Sequence, residues 1–404
     1  MKQINIKIIL LMLVLSSNSN IIFAQFGGGN GTELSPYQIR TRQHIEELCD
    51  SINSGVRKLV CFTHNKCFKL MNDITDSVRC VIGESYAHSE YGDTTGAWNN
   101  FCTAHFDGQN HKITLAIVSN GHASLFGTAF RSTIKNLRVD GYVKKNGNNG
   151  RKGMVFDSYS ASGIVGYAYD TYISNCVNYA NIYINYTGSA SVGGIVGEFL
   201  NRFMFLNRFI KDYYISNCVN FGNIEVASES HNQNHVVGGI VGKIYQGHYY
   251  SITNCINYGT LKYHFQHPYV YGHYDNPGLG GILGKHISSN FTNAYYAKIY
   301  GITQEIKNCI NVGFIDGPGG GIVGTLVEKK DTRYDYAIIS NELIIKNCTN
   351  AGFITGPGGG IVGGTVSADT LKGGLINRLT IENCINTGVI GNSPKSSGIV
   401  HIED

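Results

Sequence analysis

The sequence predicts an all-β fold: a right-handed parallel β-helix solenoid with irregular loop insertions and a small N-terminal cap. Three observations lead there. Residues 163 to 400 hold six copies of Asn-Cys-x-Asn-x-(Gly/Ala)-x-(Ile/Leu); these alternate with Gly-Ile-Val-Gly or its Leu variant; and the segments between turn residues are short and β-branched. None of the repeat segments has the ten or more residues of 3.6-residue periodicity that an independent helix needs.

The six copies are centred on Cys176, Cys218, Cys255, Cys309, Cys348 and Cys384, preceded by Asn175, Asn217, Asn254, Asn308, Asn347 and Asn383. Ile stands three residues before each Cys, Asn two after, Gly four after (Ala180 in the first copy) and Ile or Leu six after. Side chains repeated at fixed offsets indicate one environment presented again in every coil. The Asn before each Cys is expected to stack at a bend, bonding to its own turn and to the next coil. The Gly four after is expected to supply a left-handed conformation.

Successive Cys are 42, 37, 54, 39 and 36 residues apart, yet Cys348 to Ile361 takes 13 residues and Ile164 to Cys176 takes 12, so the basic coil is near 25. The surplus falls after the Ile/Leu, as in Lys262 to Asn276, and after the Gly-Ile-Val-Gly strand, as in Glu328 to Glu342. Loops there can lengthen into solvent at little entropic cost. Each coil reads as three short strands joined by tight turns, with Ile stacked on Ile inside parallel sheets. The main rival is a β-propeller, whose blade would not shrink to so short a coil.

Eleven cysteines in an exported chain first suggest disulfides. Six of them, one per coil, have parallel side-chain vectors that suit a column of buried thiols better than bridges. Cys49, Cys61, Cys67, Cys80 and Cys102 lie in the N-terminal region, where one or two disulfides fit and the odd number leaves a thiol over. Zinc is not expected, because the repeat lacks close Cys-x2-Cys pairs. No cofactor or metal is indicated.

Lys2 and Lys7 precede an apolar run, Ile8 to Leu15, and Ala24 ends a cleavage-site pattern before Gln25. Residues 1–24 therefore read as a signal peptide, and the chain as secreted or cell-surface. No Cys stands at the junction to carry a lipid, and no later stretch is apolar enough to span a bilayer. Residues 25–66 form an N-terminal segment in which Ile45, Leu48 and Ile52 share a helical face, predicting a short helix over 43–53 that caps the first coil. Residues 67–162 are read as divergent first coils and 163–404 as the regular repeats, the last cut short after Ser397 to Val400. Asp107-Gly108 is expected to form a turn rather than to carry catalysis.

These segments resemble the GLUG-motif repeat proteins of bacterial cell surfaces. Gly163 to Gly166, Gly194 to Gly197, Gly239 to Gly242, Gly281 to Gly284, Gly321 to Gly324 and Gly360 to Gly363 match the motif. Gly31-Thr-Glu-Leu-Ser-Pro-Tyr37, Phe68 to Ile74, Phe106 to Ile113, Leu125 to Gly127 and Ile134 to Leu137 are similar to the opening coils of such proteins. The exported context and the Phe-Ala-Gln junction resemble those of Bacteroidota proteins. The resemblance implies the β-helical architecture and, among its members, adhesin-like proteins and noncatalytic parts of secreted peptidases.

Function is expected to be noncatalytic binding of a host or microbial surface glycan or protein. The candidate contact is the insertion Tyr263, His264, Phe265, His267, Tyr269, Tyr271, His273 and Tyr274, since aromatic rings give large contact area at low rotamer cost. His264 and His267 lack the fixed geometry a metal needs. A polysaccharide lyase or glycosidase is the alternative, requiring converging carboxylates such as Asp331 with Asp335 or Glu225 with Glu229. A structural spacer is the other. The 32 Lys and Arg, less Lys2 and Lys7, face 28 Asp and Glu without a recurring basic stripe, so nucleic acid is not an expected partner.

Overall fold

The computed structural model describes residues 26–54, 62–84, 100–147, 159–186, 188–200, 213–227, 235–245, 250–264, 278–289, 302–329, 340–367, 376–391 and 398–399. They form a right-handed parallel β-helix. Its strands build sheets of ten, thirteen, six and eight strands, and every pairing among the described residues is parallel. That excludes the propeller, whose blades are antiparallel.

One coil shows how the sequence turns. Tyr172–Ser174 lies in the ten-stranded sheet, and Val177–Asn178 with Asn181–Tyr186 in the thirteen-stranded one. Ala190–Gly193 then joins the six-stranded sheet and Val196–Leu200 the eight-stranded one. Each repeat coil thus has four faces where three strands were expected. The added corner is made by the first glycine of Gly-Gly-Ile-Val-Gly: a Cβ on Gly193 would lie 1.9 Å from the Val196 carbonyl oxygen. Glycine holds this corner in the later coils and Ser162 in the first, so a strand too short to stand out in the sequence is set off as a separate face.

The left-handed corner is also displaced from its expected place. Asn175, Asn217, Asn254, Asn308, Asn347 and Asn383 adopt φ of 51 to 54°, whereas the glycines four after each Cys have no positive φ. Asn is the residue that best tolerates this conformation after Gly. The glycines serve close approach instead. A Cβ on Gly222 would fall 2.0 Å from the Ala180 carbonyl oxygen of the coil below, and the same contact recurs at Gly259, Gly313, Gly352 and Gly388. Ala180 is tolerated because the register sets it beside Gly141, where the underlying strand is irregular.

The core is a stack of buried Ile, Val, Leu and Phe running through all coils, with Phe68, Phe101, Phe106 and Phe126 filling the wider first ones. Helix α1, Arg42–Asn53, starts at Thr41, whose side chain accepts from the His44 amide. It buries Ile45, Leu48, Cys49 and Ile52 against the first coils and is tied there by a Cys49–Cys80 disulfide. Cys102 is also disulfide-bonded, to a partner outside the described residues. At the other end Gly398 and Ile399 continue the stack, the Ile399 carbonyl accepting from the Ile361 and Val362 amides at 2.9 Å.

Candidate binding surface

Three side-chain columns follow from the Asn-Cys-x-Asn motif. The outer Asn residues, starting from Asn136, donate Nδ2 to the Oδ1 of the coil below at 3.0 to 3.3 Å as far as Asn383. Their bonds run from side chain to side chain, while main-chain partners are met by neighbouring carbonyls, as in Asn175 N to Ser216 O at 3.0 Å.

Inside, Cys176, Cys218, Cys255, Cys309 and Cys348 are buried free thiols and Cys384 is half-buried. Each donates to the carbonyl two residues back, at 3.3 to 3.4 Å. Hydrogen bonding with Cys309 pushes the Cys348 thiol up to about 12, and the Cys348 thiol together with burial raises Cys384. Raised in this way, the Cys348 and Cys384 thiols are poor nucleophiles at neutral pH.

The third column is the Asn two after each Cys, which recurs in the sequence but is given no role there. Asn178, Asn220, Asn257, Asn311 and Asn350 are fully buried and run Nδ2 to Oδ1 up the solenoid at 2.8 to 2.9 Å, ending on Asn386. Each also closes its own turn, donating to the carbonyl two residues on. The ladder explains why both motifs occur together. A Cβ on Gly194 would meet the Asn220 side chain at 2.4 Å, and Gly239, Gly281, Gly321 and Gly360 face Asn257, Asn311, Asn350 and Asn386 in the same way. The first glycine of Gly-Ile-Val-Gly is the space the Asn ladder needs.

These columns hold the thirteen-stranded sheet in register and thereby align what faces outward. The residues one, three and five after each Cys point out of this face, alternating with neighbours that are buried in five coils and half-buried in the last. Across six coils these eighteen positions contain no Asp, Glu, Lys or Arg. Tyr179, Phe221 and Tyr258 stack with centroids 5.0 and 4.9 Å apart and planes within 3°, and Phe314 stacks on Phe353 at 5.5 Å. Phe221 is 43% and Tyr258 46% exposed, and Ile310, Val312, Ile385 and Val389 are exposed beside them.

The boundaries of this stripe are polar. On one side runs the outer Asn ladder; on the other, seven after each Cys, stands the column Tyr183, Glu225, Lys262, Asp316, Thr355 and Gly391, charged in its three middle coils. Below the first repeat the equivalent positions are Arg138 and Asp140, the latter paired with Lys112 at 3.1 Å. An uncharged centre within polar rims is the composition of a protein interface. At strand spacing the stripe is about 24 Å long and about 13 Å wide, roughly 300 Å². A patch of that size is about the largest a monomer ordinarily leaves open.

The expected insertion contributes differently. Tyr263 is 7% exposed and packs with His235, so it belongs to the core and not to a contact loop. His264 is exposed and pairs with Glu225 at 2.9 Å. Phe265, His267, Tyr269, Tyr271, His273 and Tyr274 lie outside the described residues, as do Glu229, Asp331, Asp335 and the signal segment. Asp107 closes a turn, its Oδ1 accepting from Gln109 N and Asn136 Nδ2 at 3.0 Å. Burial would raise its carboxyl, but these bonds and Lys135 hold it below the usual range.

A second polar group is enclosed near the first repeat coils. Lys145 is fully buried, donates to the Asn120 and Gly121 carbonyls at 3.0 and 2.8 Å, and lies 4.4 and 4.2 Å from the Tyr159 and Tyr186 rings. Burial draws its ammonium down to about 7. Glu198 accepts from Ser191 Oγ at 3.1 Å and pairs with Lys243 at 3.0 Å. Among the described residues no group of three or more His, Cys, Asp or Glu is placed to hold a metal ion, and no helix is long and apolar enough to cross a membrane.

The fold and this surface define a repetitive all-β solenoid of the parallel β-helix class. No family model matches the chain, and no curated protein matches it. Among solved structures it is similar to a crystal structure provisionally described as an immunoglobulin A1 protease from Bacteroides ovatus, at 17% identity over 94% of this chain and 87% of that one, with a TM-score of 0.49. A likeness this distant assigns no activity.

Proposed function

We propose that the protein is an exported, noncatalytic scaffold, secreted or held at the cell surface, that binds protein partners through its uncharged stripe. The observation behind this reading is the contrast within one sheet face: eighteen outward positions without a charge, beside a six-residue column charged at Glu225, Lys262 and Asp316. Rings left exposed along the face favour association. A protein partner suits the stripe better than a glycan. The rings cover one another's faces and offer edges, whereas sugars stack on open ring faces. The resemblance to adhesin-like GLUG repeat proteins points the same way, and the recurring inward Asn, Cys, Gly and Ile supply no general acid or base.

Beads coated with the protein, presented to immobilised extracellular proteins, to the protein itself and to a glycan array, test this. Retention on a protein surface, lost in Tyr258→Glu with the β-rich circular dichroism kept, supports the reading. Glycan-only retention that survives Tyr258→Glu and disappears on deleting residues 265–276 returns recognition to the insertion. Release of reducing ends from a polysaccharide, abolished by Glu225→Gln, would establish an enzyme instead.

A further inference from the structure

What covers the stripe can be read from how its bulk is distributed, an inference that rests on the reading above and names its partner. In the first three repeat coils the rings stand three residues after Cys, at Tyr179, Phe221 and Tyr258, while the positions five after hold Asn181, Asn223 and Thr260. In the last three coils the pattern is exchanged. Val312, Ala351 and Thr387 stand three after, and Phe314, Phe353 and Val389 five after.

We propose that the stripe pairs face to face with the same stripe of a second copy, the two solenoids antiparallel about a two-fold axis between the third and fourth repeat coils. Such an axis keeps each column opposite itself and reverses the order of coils. Phe221 of one copy then faces Ala351 of the other, Tyr258 faces Val312, and Phe353 faces Asn223. Every ring meets a smaller side chain, twice over by symmetry, so ridge fits hollow along the whole stripe. The parallel two-fold arrangement would instead set Phe221 on Phe221 and Ala351 on Ala351, leaving bulk against bulk and a gap beside it. With no charge at any of the eighteen positions, self-pairing buries no unpaired ion.

The polar rims join the contact, the outer Asn ladder and the charged column widening it to roughly 600 Å² per copy. That lies below the about 800 Å² per partner of standard interfaces, which places the dimer among weak, reversible ones. Its partner surface repeats at the same strand spacing, so side chains stay in step from coil to coil.

Sedimentation velocity over a concentration series tests the pairing. The expected result is a sedimentation coefficient rising from monomer toward dimer, with the rise lost in Phe221→Glu and in Ala351→Phe, both of which keep the native circular dichroism. The exchange variant carrying Phe221→Ala with Ala351→Phe is expected to recover it, which no folding defect would do. In a mixture, Phe221→Cys and Ala351→Cys chains should cross-link to one another and neither to itself. A monomer at every concentration, or Phe221→Cys chains linking among themselves, overturns the proposal. If the monomer still loses protein-surface retention on Tyr258→Glu, the stripe remains a binding surface with another partner; if that variant also binds as before, the functional reading falls with it.

Discussion

Asn257 Nδ2 donates to Asn311 Oδ1 at 2.9 Å although 54 residues separate the two in the chain. The longest insertion in the repeats is thus spanned by the same bond that joins coils 36 or 37 residues apart. Loop length has no effect on register because register is fixed inside the coil.

Replacing Asn257 removes its bonds to Gly259 and Asn311 and strands Asn220, whose donor it accepts. Each buried group left unpaired costs about 1–3 kcal/mol. Asn257→Ala should therefore destabilise by about 3–5 kcal/mol, and Asn257→Asp by at least as much, since a carboxylate donates to neither neighbour. Chemical denaturation of the two variants checks this.

Glycine substitutions should divide by what a Cβ would meet. In Gly281→Ala it would lie 2.1 Å from the Gly321 carbonyl oxygen and 2.3 Å from the Asn311 side chain, while at Gly364 nothing stands within 4 Å. Gly281→Ala should fail to fold or lose more than about 4 kcal/mol, and Gly364→Ala should stay within about 0.5 kcal/mol. Expression yield and melting temperature distinguish them.

Thiol labelling should follow exposure. Cys67 and Cys384 are half-buried, and Cys176 to Cys348 are closed off within the stack. Burial raises the Cys67 thiol, and hydrogen bonding with Cys348 raises Cys384, so even these two should react slowly at neutral pH. A maleimide mass series is expected to show two slow additions to the native protein, and further ones only in denaturant.

Acid should weaken the fold through two histidines. Burial holds His235 and His286 at about 4, below their ordinary value of 6.5, His286 lying against the Tyr250 hydroxyl at 3.1 Å. Between pH 6.5 and 4 the unfolded chain binds the protons first, so stability falls with falling pH, by up to about 1.4 kcal/mol per unit for each histidine. His235→Gln and His286→Gln should each flatten that slope in denaturation curves taken from pH 7 to 4.

Much of the architecture was legible because the solenoid repeats its constraints. Ile306, Asn308, Cys309 and Asn311 recur at the same offsets in every coil, and the helix at Arg42–Asn53 follows from Ile45, Leu48 and Ile52. The fourth face was not legible, because its strand at Ala190–Gly193 is set apart by a backbone contact at Gly193 that leaves no hydrophobic period. The Asn–Gly pairing was hidden for a related reason: Asn220 and Gly194 meet across the coil and are distant in sequence. The stripe is not marked by any residue present at a fixed offset. Its signal is a chemical absence, the lack of charge one, three and five residues after every Cys, which a count of odd offsets would have found.

The most direct test of the stripe as the interaction surface is to compare Tyr258→Glu with Thr253→Glu in bead retention. Both place a carboxylate outward in the same coil, five residues apart, one within the stripe and one on the adjoining sheet beside Lys307. Burying an unpaired charge costs enough that Tyr258→Glu should lower affinity by at least about tenfold, with Thr253→Glu near the parent. Equal losses, or none from Tyr258→Glu, would contradict the account.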